Sequence, residues 1–226
     1  MEIDPSLARE FENHLQAERR LQAIIPGAIL AGGTAAALHA GHRVSLDGDH
    51  ILVDLKDRFD PVLSKLEATP GWQTDRIQRP VQIVGSLDGY LTGVRQLRRD
   101  RPVEAQELRG LKVPTLDEMA RIKAWPFLTR DSTRDFLDTV VLLDRVGTDC
   151  LKRAFSSFDE IYKRGPQGGS PLVELADRLA RAQPADRASV EIRHYKGLIP
   201  PWNDWEHLIG RSRHWAGRLS LLALEE

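Results

Sequence analysis

The chain has 226 residues, with 32 Lys plus Arg against 33 Asp plus Glu and a single cysteine. That length suits one substantial core, or a small catalytic domain with a second lobe packed on it. The balanced charge builds in no global attraction to a polyanion, so any nucleic-acid contact has to come from local clustering. Cys150 alone excludes an internal disulfide and every cysteine-cluster zinc site, and fits a reducing compartment.

The first residues, Met-Glu-Ile-Asp-Pro, lack the basic-then-apolar order of a secretory signal. The longest uncharged stretch, 21–40, is broken by Pro26, Gly27, Gly32 and Gly33. A soluble cytoplasmic protein with no membrane partner is expected. Asp4 before Pro5 starts a helix, continued by Leu7, Phe11, Leu15 and Leu21 at roughly helical spacing to near Pro26. Ala28-Ile29-Leu30-Ala31, bounded by glycines, has the size of a buried strand. Gly32-Gly33 makes a turn, Thr34 caps a helix over Ala35-Ala36-Ala37-Leu38-His39, and Gly41 stops it. From His50 the residues alternate to Leu55 as a strand; Asp60-Pro61 opens a helix to about Ala68, and Val81–Val84 forms a further strand followed by turn-like Gly85, Gly89 and Gly93.

The character changes at Pro114, where Thr115-Leu116-Asp117-Glu118 is a capping box. Helices are expected at about 116–130, 132–146, 150–162, 171–182 and 204–224, with Gly165-Pro166-Gln167-Gly168-Gly169 as a connector. The expected fold class is α/β (α+β), with a small mixed sheet in 1–113 and a helical lobe in 114–226 that closes over the site.

Asp47 and Asp49, two residues apart, fall on one face if the strand begins there, about 6.5–7 Å apart at the backbone. Two converging carboxylates suit Mg²⁺, which completes its shell with phosphate oxygens and water, an arrangement for phosphoryl or nucleotidyl transfer; a solvated surface turn is the ordinary alternative. The glycine turn adds backbone N–H groups at a helix start, which bind phosphate, while Thr34 and Ser45 offer hydroxyls and Arg43 a positive charge for the triphosphate or for the acids. Downstream, Lys123 lies on the apolar stripe Leu116, Ala120, Phe127, where a lysine either snorkels or meets an anion. Asp138 has Arg134 four residues earlier, the spacing of an intrahelical ion pair.

The order Gly32-Gly33-Thr34, then after a helix Arg43-Val44-Ser45-Leu46-Asp47-Gly48-Asp49, resembles the first motif of the polymerase-β nucleotidyltransferase superfamily, specifically its AbiEii-type toxin branch. The proline-led helix bearing Lys123, followed by Arg134-Asp135-Phe136-Leu137-Asp138, is similar to the family's second region; together the matches cover about 28–55 and 111–145. The resemblance implies Asp47 and Asp49 as metal carboxylates, Lys123 at the phosphates, and Asp138 as a fourth-motif carboxylate near Lys123. It further implies Mg²⁺ or Mn²⁺ with a nucleoside triphosphate (NTP) as substrate, tRNA as acceptor, and a separately encoded antitoxin as partner. A small-molecule or protein hydroxyl, or nucleotide binding without turnover, is the alternative. A third metal carboxylate would fall near Asp88, equally readable as a turn residue. One departure stands out: the family prefers a bulky apolar residue between the two acids, and this chain has Gly48.

Two basic groups, Arg95, Arg98, Arg99 and Arg101, and Arg187, Arg193, Lys196, Arg211, Arg213 and Arg218 interleaved with Trp202, Trp205 and Trp215, could track a nucleic-acid backbone or simply face solvent and core. His39, His42 and His50 match no zinc spacing; two or more of them read as helix-end or strand-surface residues, with His50 as a general base the alternative.

Overall fold

The computed structural model describes residues 4–165 and 168–225; Met1, Glu2 and Ile3, Glu226, and Pro166 and Gln167 of the expected connector lie outside the described residues. The chain divides into two compact units, one formed by 4–38 with Val44–Thr115 and the other by His39–Arg43 with 116–225.

The first unit is built on a sheet. Helix α1 (Pro5–Ile24) begins where Asp4 accepts hydrogen bonds from the Ser6 and Leu7 amides, at 2.7 and 3.3 Å. It leads through β1 (Ile29–Leu30), α2 (Gly32–Ala40), β2 (His50–Leu52) and α3 (Phe59–Glu67) to strands β3 (Trp72–Gln78), β4 (Gln82–Leu87) and β5 (Tyr90–Gln96). The sheet order is β1-β2-β5-β4-β3, with β2 and β5 parallel and the other pairs antiparallel. A separate hairpin pairs β6 (Ala105–Leu108) with β7 (Leu111–Pro114). Leu21, Ile25, Leu52, Phe59, Leu66, Ile83, Leu87 and Val94 form the core, each burial stabilising the unit by about 1.5–3 kcal/mol relative to exposure.

Several expectations are corrected here. Strand β2 stops at Leu52, and all three of its residues are buried, so it shows no alternation; a strand with a parallel neighbour is covered on both faces. Gly85 and Gly93 lie inside strands, not turns. A Cβ on Gly93 would collide with the Ile83 carbonyl of the adjacent strand. The actual turn is Asp88-Gly89, both at positive φ (53° and 86°), the two-residue hairpin geometry that these residue types favour. Strand β3 is the edge of the sheet; Trp72 at its start is buried in the core and the six residues after it are exposed, so it leaves no alternating pattern to read.

The second unit is helical: α4 (Leu116–Arg130), α5 (Thr133–Val146), α6 (Thr148–Phe155), α7 (Phe158–Ile161), α8 (Pro171–Arg181) and α9 (Trp205–Leu224). The expected 150–162 helix is two helices, the first starting after Gly147 at φ 75°. Ring pairs Phe127–Phe136 and Phe155–Phe158, each 5.4 Å between centroids, lie in its interior with Trp215. The architecture is thus the expected mixed α/β sheet core followed by helices. No helix among the described residues is long and apolar enough to cross a membrane.

Candidate active site

Asp47, Gly48 and Asp49 lie in the segment that enters β2, immediately before the strand itself. Their backbone is nevertheless pinned at three points. The Thr34 hydroxyl donates to the Asp47 carbonyl, the Gly48 N–H to the Leu91 carbonyl of β5, and the Ala31 N–H to the Asp49 carbonyl, each at 2.8 Å. These bonds extend the β1-β2-β5 pairing by one step, so both acids are held by the sheet. Asp47 is exposed and Asp49 half-buried.

The glycine turn lies close to Asp49. Gly32 sits at φ +64°, and a Cβ added to it would lie 3.0 Å from the Asp49 Cβ and 3.2 Å from its Oδ2. Glycine is therefore required twice over, by its backbone angle and by the close carboxylate. Gly32 and Gly33 open α2, whose first N–H groups have no intrahelical acceptor and carry the positive end of the helix dipole. The Arg95 guanidinium, on β5, pairs with Asp49 Oδ2 at 2.5 Å, so this carboxylate already draws a cation. Two hard-oxygen carboxylates beside a helix N-terminus fit a divalent cation carrying phosphate oxygens. Among the described residues there is no cluster of three or more His, Cys, Asp or Glu arranged for a metal.

Two expected hydroxyl donors are placed otherwise. Thr34 is wholly buried and directs its hydroxyl at the Asp47 carbonyl, with the Ser45 carbonyl at 3.2 Å, so it braces the acidic segment. Ser45 is likewise buried.

Behind the acids lies a layer that sequence reasoning missed. The Glu18 carboxyl, 0% exposed, accepts a hydrogen bond from the Thr92 hydroxyl at 2.8 Å and faces His14 Nδ1 at 3.4 Å and His50 Nδ1 at 3.5 Å. His14 Nε2 in turn lies 3.2 Å from the Thr34 hydroxyl. Burial pushes the Glu18 carboxyl up to about 8, with a further push from Asp49 against the Thr92 bond, and lowers His14 to about 4 and His50 to about 3. The layer is therefore neutral near pH 7. Glu18 Oε1 and His14 Nδ1 find no partner when the carboxyl is drawn ionised; a protonated Glu18 facing an unprotonated Nδ1 answers both. The signal was present in the sequence, because Glu18 falls on the apolar stripe of α1 set by Leu7, Phe11 and Leu15. His50 is a buried member of this layer and not a strand-surface residue.

The helical unit holds a different cluster. Asp138 on α5, 0% exposed, accepts from His42 Nε2 at 2.8 Å and from Arg43 Nε and a terminal guanidinium nitrogen at 2.8 and 2.7 Å, and pairs with Lys123 Nζ at 2.8 Å. Burial alone would raise this carboxyl; Lys123 and Arg43, with the bonds from His42 and Arg43, override that and hold it well below the usual carboxylate range. Lys123 is only 5% exposed and also lies 3.6 Å from Asp135, so it is an ion-paired interior lysine and does not snorkel. Arg43 pairs with an acid, and that acid is Asp138. These partners of Asp138 all come from outside its own helix. His42 is buried here and is not a helix-end surface residue.

The remaining candidates are engaged elsewhere. Asp88, in its turn, is bonded to Arg20 at 2.6 Å. Arg99 donates to the carbonyls of Arg101 and Pro102 in its own loop. Arg187 stacks over Trp205 at 4.2 Å, and Arg211 pairs with Asp144, which also accepts from Trp215. Arg95, Arg99, Arg187, Arg193 and Arg211, half of the basic residues read as a nucleic-acid track, thus have carboxylate, carbonyl or ring partners.

No family model matches the sequence, and no curated protein is detectably similar to it. Solved structures are similar in fold. A proposed nucleotidyltransferase from Helicobacter pylori superposes with a TM-score of 0.59 at 14% identity, over 99% of each chain. JHP933, also from H. pylori, gives a TM-score of 0.56 at 15% identity over the whole of both chains. The fold is a nucleotidyltransferase fold. Within it, the sheet unit contributes the acids and the glycine turn. A slighter likeness, TM-score 0.44 at 10% identity over 69% of this chain and 90% of the other, is to the antibiotic-resistance factor ANT(2'')-Ia.

Proposed function

We propose that the chain is a nucleotidyltransferase that moves a nucleoside monophosphate from an NTP to an acceptor hydroxyl, using Asp47 and Asp49. The observation that carries this reading is the closeness of the Asp49 carboxylate to Gly32, at the start of α2: its Oδ2 lies 3.2 Å from where a Cβ on Gly32 would stand. It sets an anion-binding helix start against a cation-binding acid pair, the two halves a metal–triphosphate complex needs. Asp47 and Asp49 would hold Mg²⁺ or Mn²⁺, which supplies charge neutralisation of the triphosphate and Lewis-acid polarisation at phosphorus. The amides of Gly32 and Gly33 bind phosphate oxygens and oppose the charge that builds on the departing pyrophosphate. Arg95 neutralises Asp49 while the site holds no nucleotide and swings to the phosphates when it does. The acceptor oxygen bonds to the α-phosphorus as its proton passes to solvent water, and the bond from that phosphorus to pyrophosphate breaks. Lys123, Arg43 and Asp138 hold the helices of their own unit to the 39–43 segment, from which the chain runs on to Ser45 and Asp47.

Transfer to tRNA by a toxin restrained by a separately encoded antitoxin is the role that the sequence resemblance supports. A small-molecule or protein hydroxyl is the alternative acceptor class. Incubation with each α-labelled NTP and Mg²⁺, with total RNA, protein or small-molecule hydroxyls as acceptor, tests both. Label should enter one class with stoichiometric pyrophosphate, and Asp47→Asn and Asp49→Asn should each lower the rate about 10²–10³-fold. Transfer at the wild-type rate in either variant contradicts the assigned site.

A further inference from the structure

Gly48 separates the two acids, and the structure gives a reason for the missing side chain. A Cβ built on Gly48 would overlap the Glu18 carboxyl, its carbon and both of its oxygens. Gly48 is not at positive φ, so the backbone angle does not demand glycine; the occupied space does. The Glu18 carboxyl is locked there by Thr92 on β5 and walled by His14 and His50. It thus takes the volume that a side chain at 48 would fill.

We propose that Glu18 is a positioning residue for the acid pair: its carboxyl acts as the missing side chain of position 48, and residues 18 and 48 form one packing unit that sets the spacing of Asp47 and Asp49. This deepens the nucleotidyltransferase reading and rests on it. The backbone around Gly48 is fixed from three directions by Thr34, Leu91 and Ala31. A fourth support, from below, is what keeps it from collapsing inward. His14 joins the two layers, since its ring faces Glu18 through Nδ1 and the Thr34 hydroxyl through Nε2. The proposal depends on shape and hydrogen bonding, so a neutral residue of the same shape serves as well as the acid.

The experiment is a double-mutant cycle read by equilibrium binding of Mn²⁺ with a non-hydrolysable NTP analogue, followed by electron paramagnetic resonance, alongside thermal melting. Gly48→Ala should weaken Mn²⁺–nucleotide binding about 100-fold, the scale expected when reacting groups are displaced by roughly 1 Å. Glu18→Ala should weaken it about 10-fold by removing the support. The double variant Glu18→Ala/Gly48→Ala should bind better than Gly48→Ala alone, because the new methyl enters the vacated space. Glu18→Gln, which keeps the shape and the Thr92 partner, should bind within about 3-fold of wild type, and it folds whether or not the others do. Variants that melt lower yet bind with wild-type affinity, or a double variant no better than Gly48→Ala, overturn the inference while leaving the site intact. Wild type that binds neither Mn²⁺ nor nucleotide overturns the nucleotidyltransferase reading, and the positioning role with it.

Discussion

Glu18 and Asp138 are both wholly buried carboxyls, one in each unit, and their surroundings stabilise them in opposite states. Asp138 is met by two cations and by donors from His42 and Arg43, and is held ionised far below the usual range. Glu18 is met by one threonine hydroxyl and two neutral imidazoles, and burial pushes it to about 8. The same chemical group is a charged clamp in one place and an uncharged filler in the other. Partners, and not burial alone, decide which. Asp47, exposed, and Asp49, half-buried and paired with Arg95, differ from both in standing at the surface of their unit.

The largest effect that breaks this contrast should come from the clamp. Asp138→Asn leaves Arg43 and Lys123 buried without their counter-charge and should lower unfolding free energy by about 3–5 kcal/mol in a urea titration. A loss under 1 kcal/mol would show that the cluster is not closed in solution.

The pH dependence of stability should run in opposite directions for the two carboxyls. Glu18 has its folded pKa raised from 4.5 to about 8, so its contribution is complete below about pH 4.5 and is lost as pH rises toward 8, at up to about 1.4 kcal/mol per pH unit. Asp138 is depressed, so its contribution is present above the ordinary carboxylate range and is lost as acid protonates it. His14 and His50, lowered to about 4 and 3, act in the same direction as Asp138, costing stability as pH falls below 6.5. Subtracting the wild-type stability curve from that of Glu18→Gln isolates the first term. The difference should grow in the variant's favour between pH 4.5 and 8; a flat difference means that Glu18 is ionised throughout.

Smaller again is Lys123→Met. Asp138 keeps the two bonds from Arg43 and the one from His42, so the loss should be about 1.5–3 kcal/mol, with acid unfolding shifted to higher pH. An unchanged acid midpoint would place Lys123 outside the cluster in solution.

Much of the architecture is legible in the residues. The helices after Pro114 announce themselves by caps and periodicity, and α4 and α9 begin and end within a residue of expectation. The β3 edge and the β6-β7 hairpin do not, because exposed strands carry polar residues on both faces and look like loops. At the site, the glycine turn and the acids were visible as an ordered motif, and the structure brings Gly32 to Asp49. Thr34 was misjudged because a hydroxyl at a helix start reads as a ligand donor, while its hydrogen bond to the Asp47 carbonyl joins residues 13 apart in the chain. Glu18 left a signal, an acid on the apolar stripe of α1, but its pairing with Thr92 across 74 residues could not be read from the sequence. Gly48, which looked like a defect in the motif, is explained only by that distant carboxyl.

The central claim, that Asp47 and Asp49 with the Gly32-Gly33 turn form a metal–nucleotide site, is tested most directly by calorimetric titration of wild type, Asp49→Asn and Gly32→Val with an NTP in the presence and absence of Mg²⁺. Wild type should bind nucleotide with Mg²⁺ at least about 100-fold tighter than without it, and both variants should lose that dependence. Binding that is indifferent to Mg²⁺, or that survives in both variants, would contradict the account.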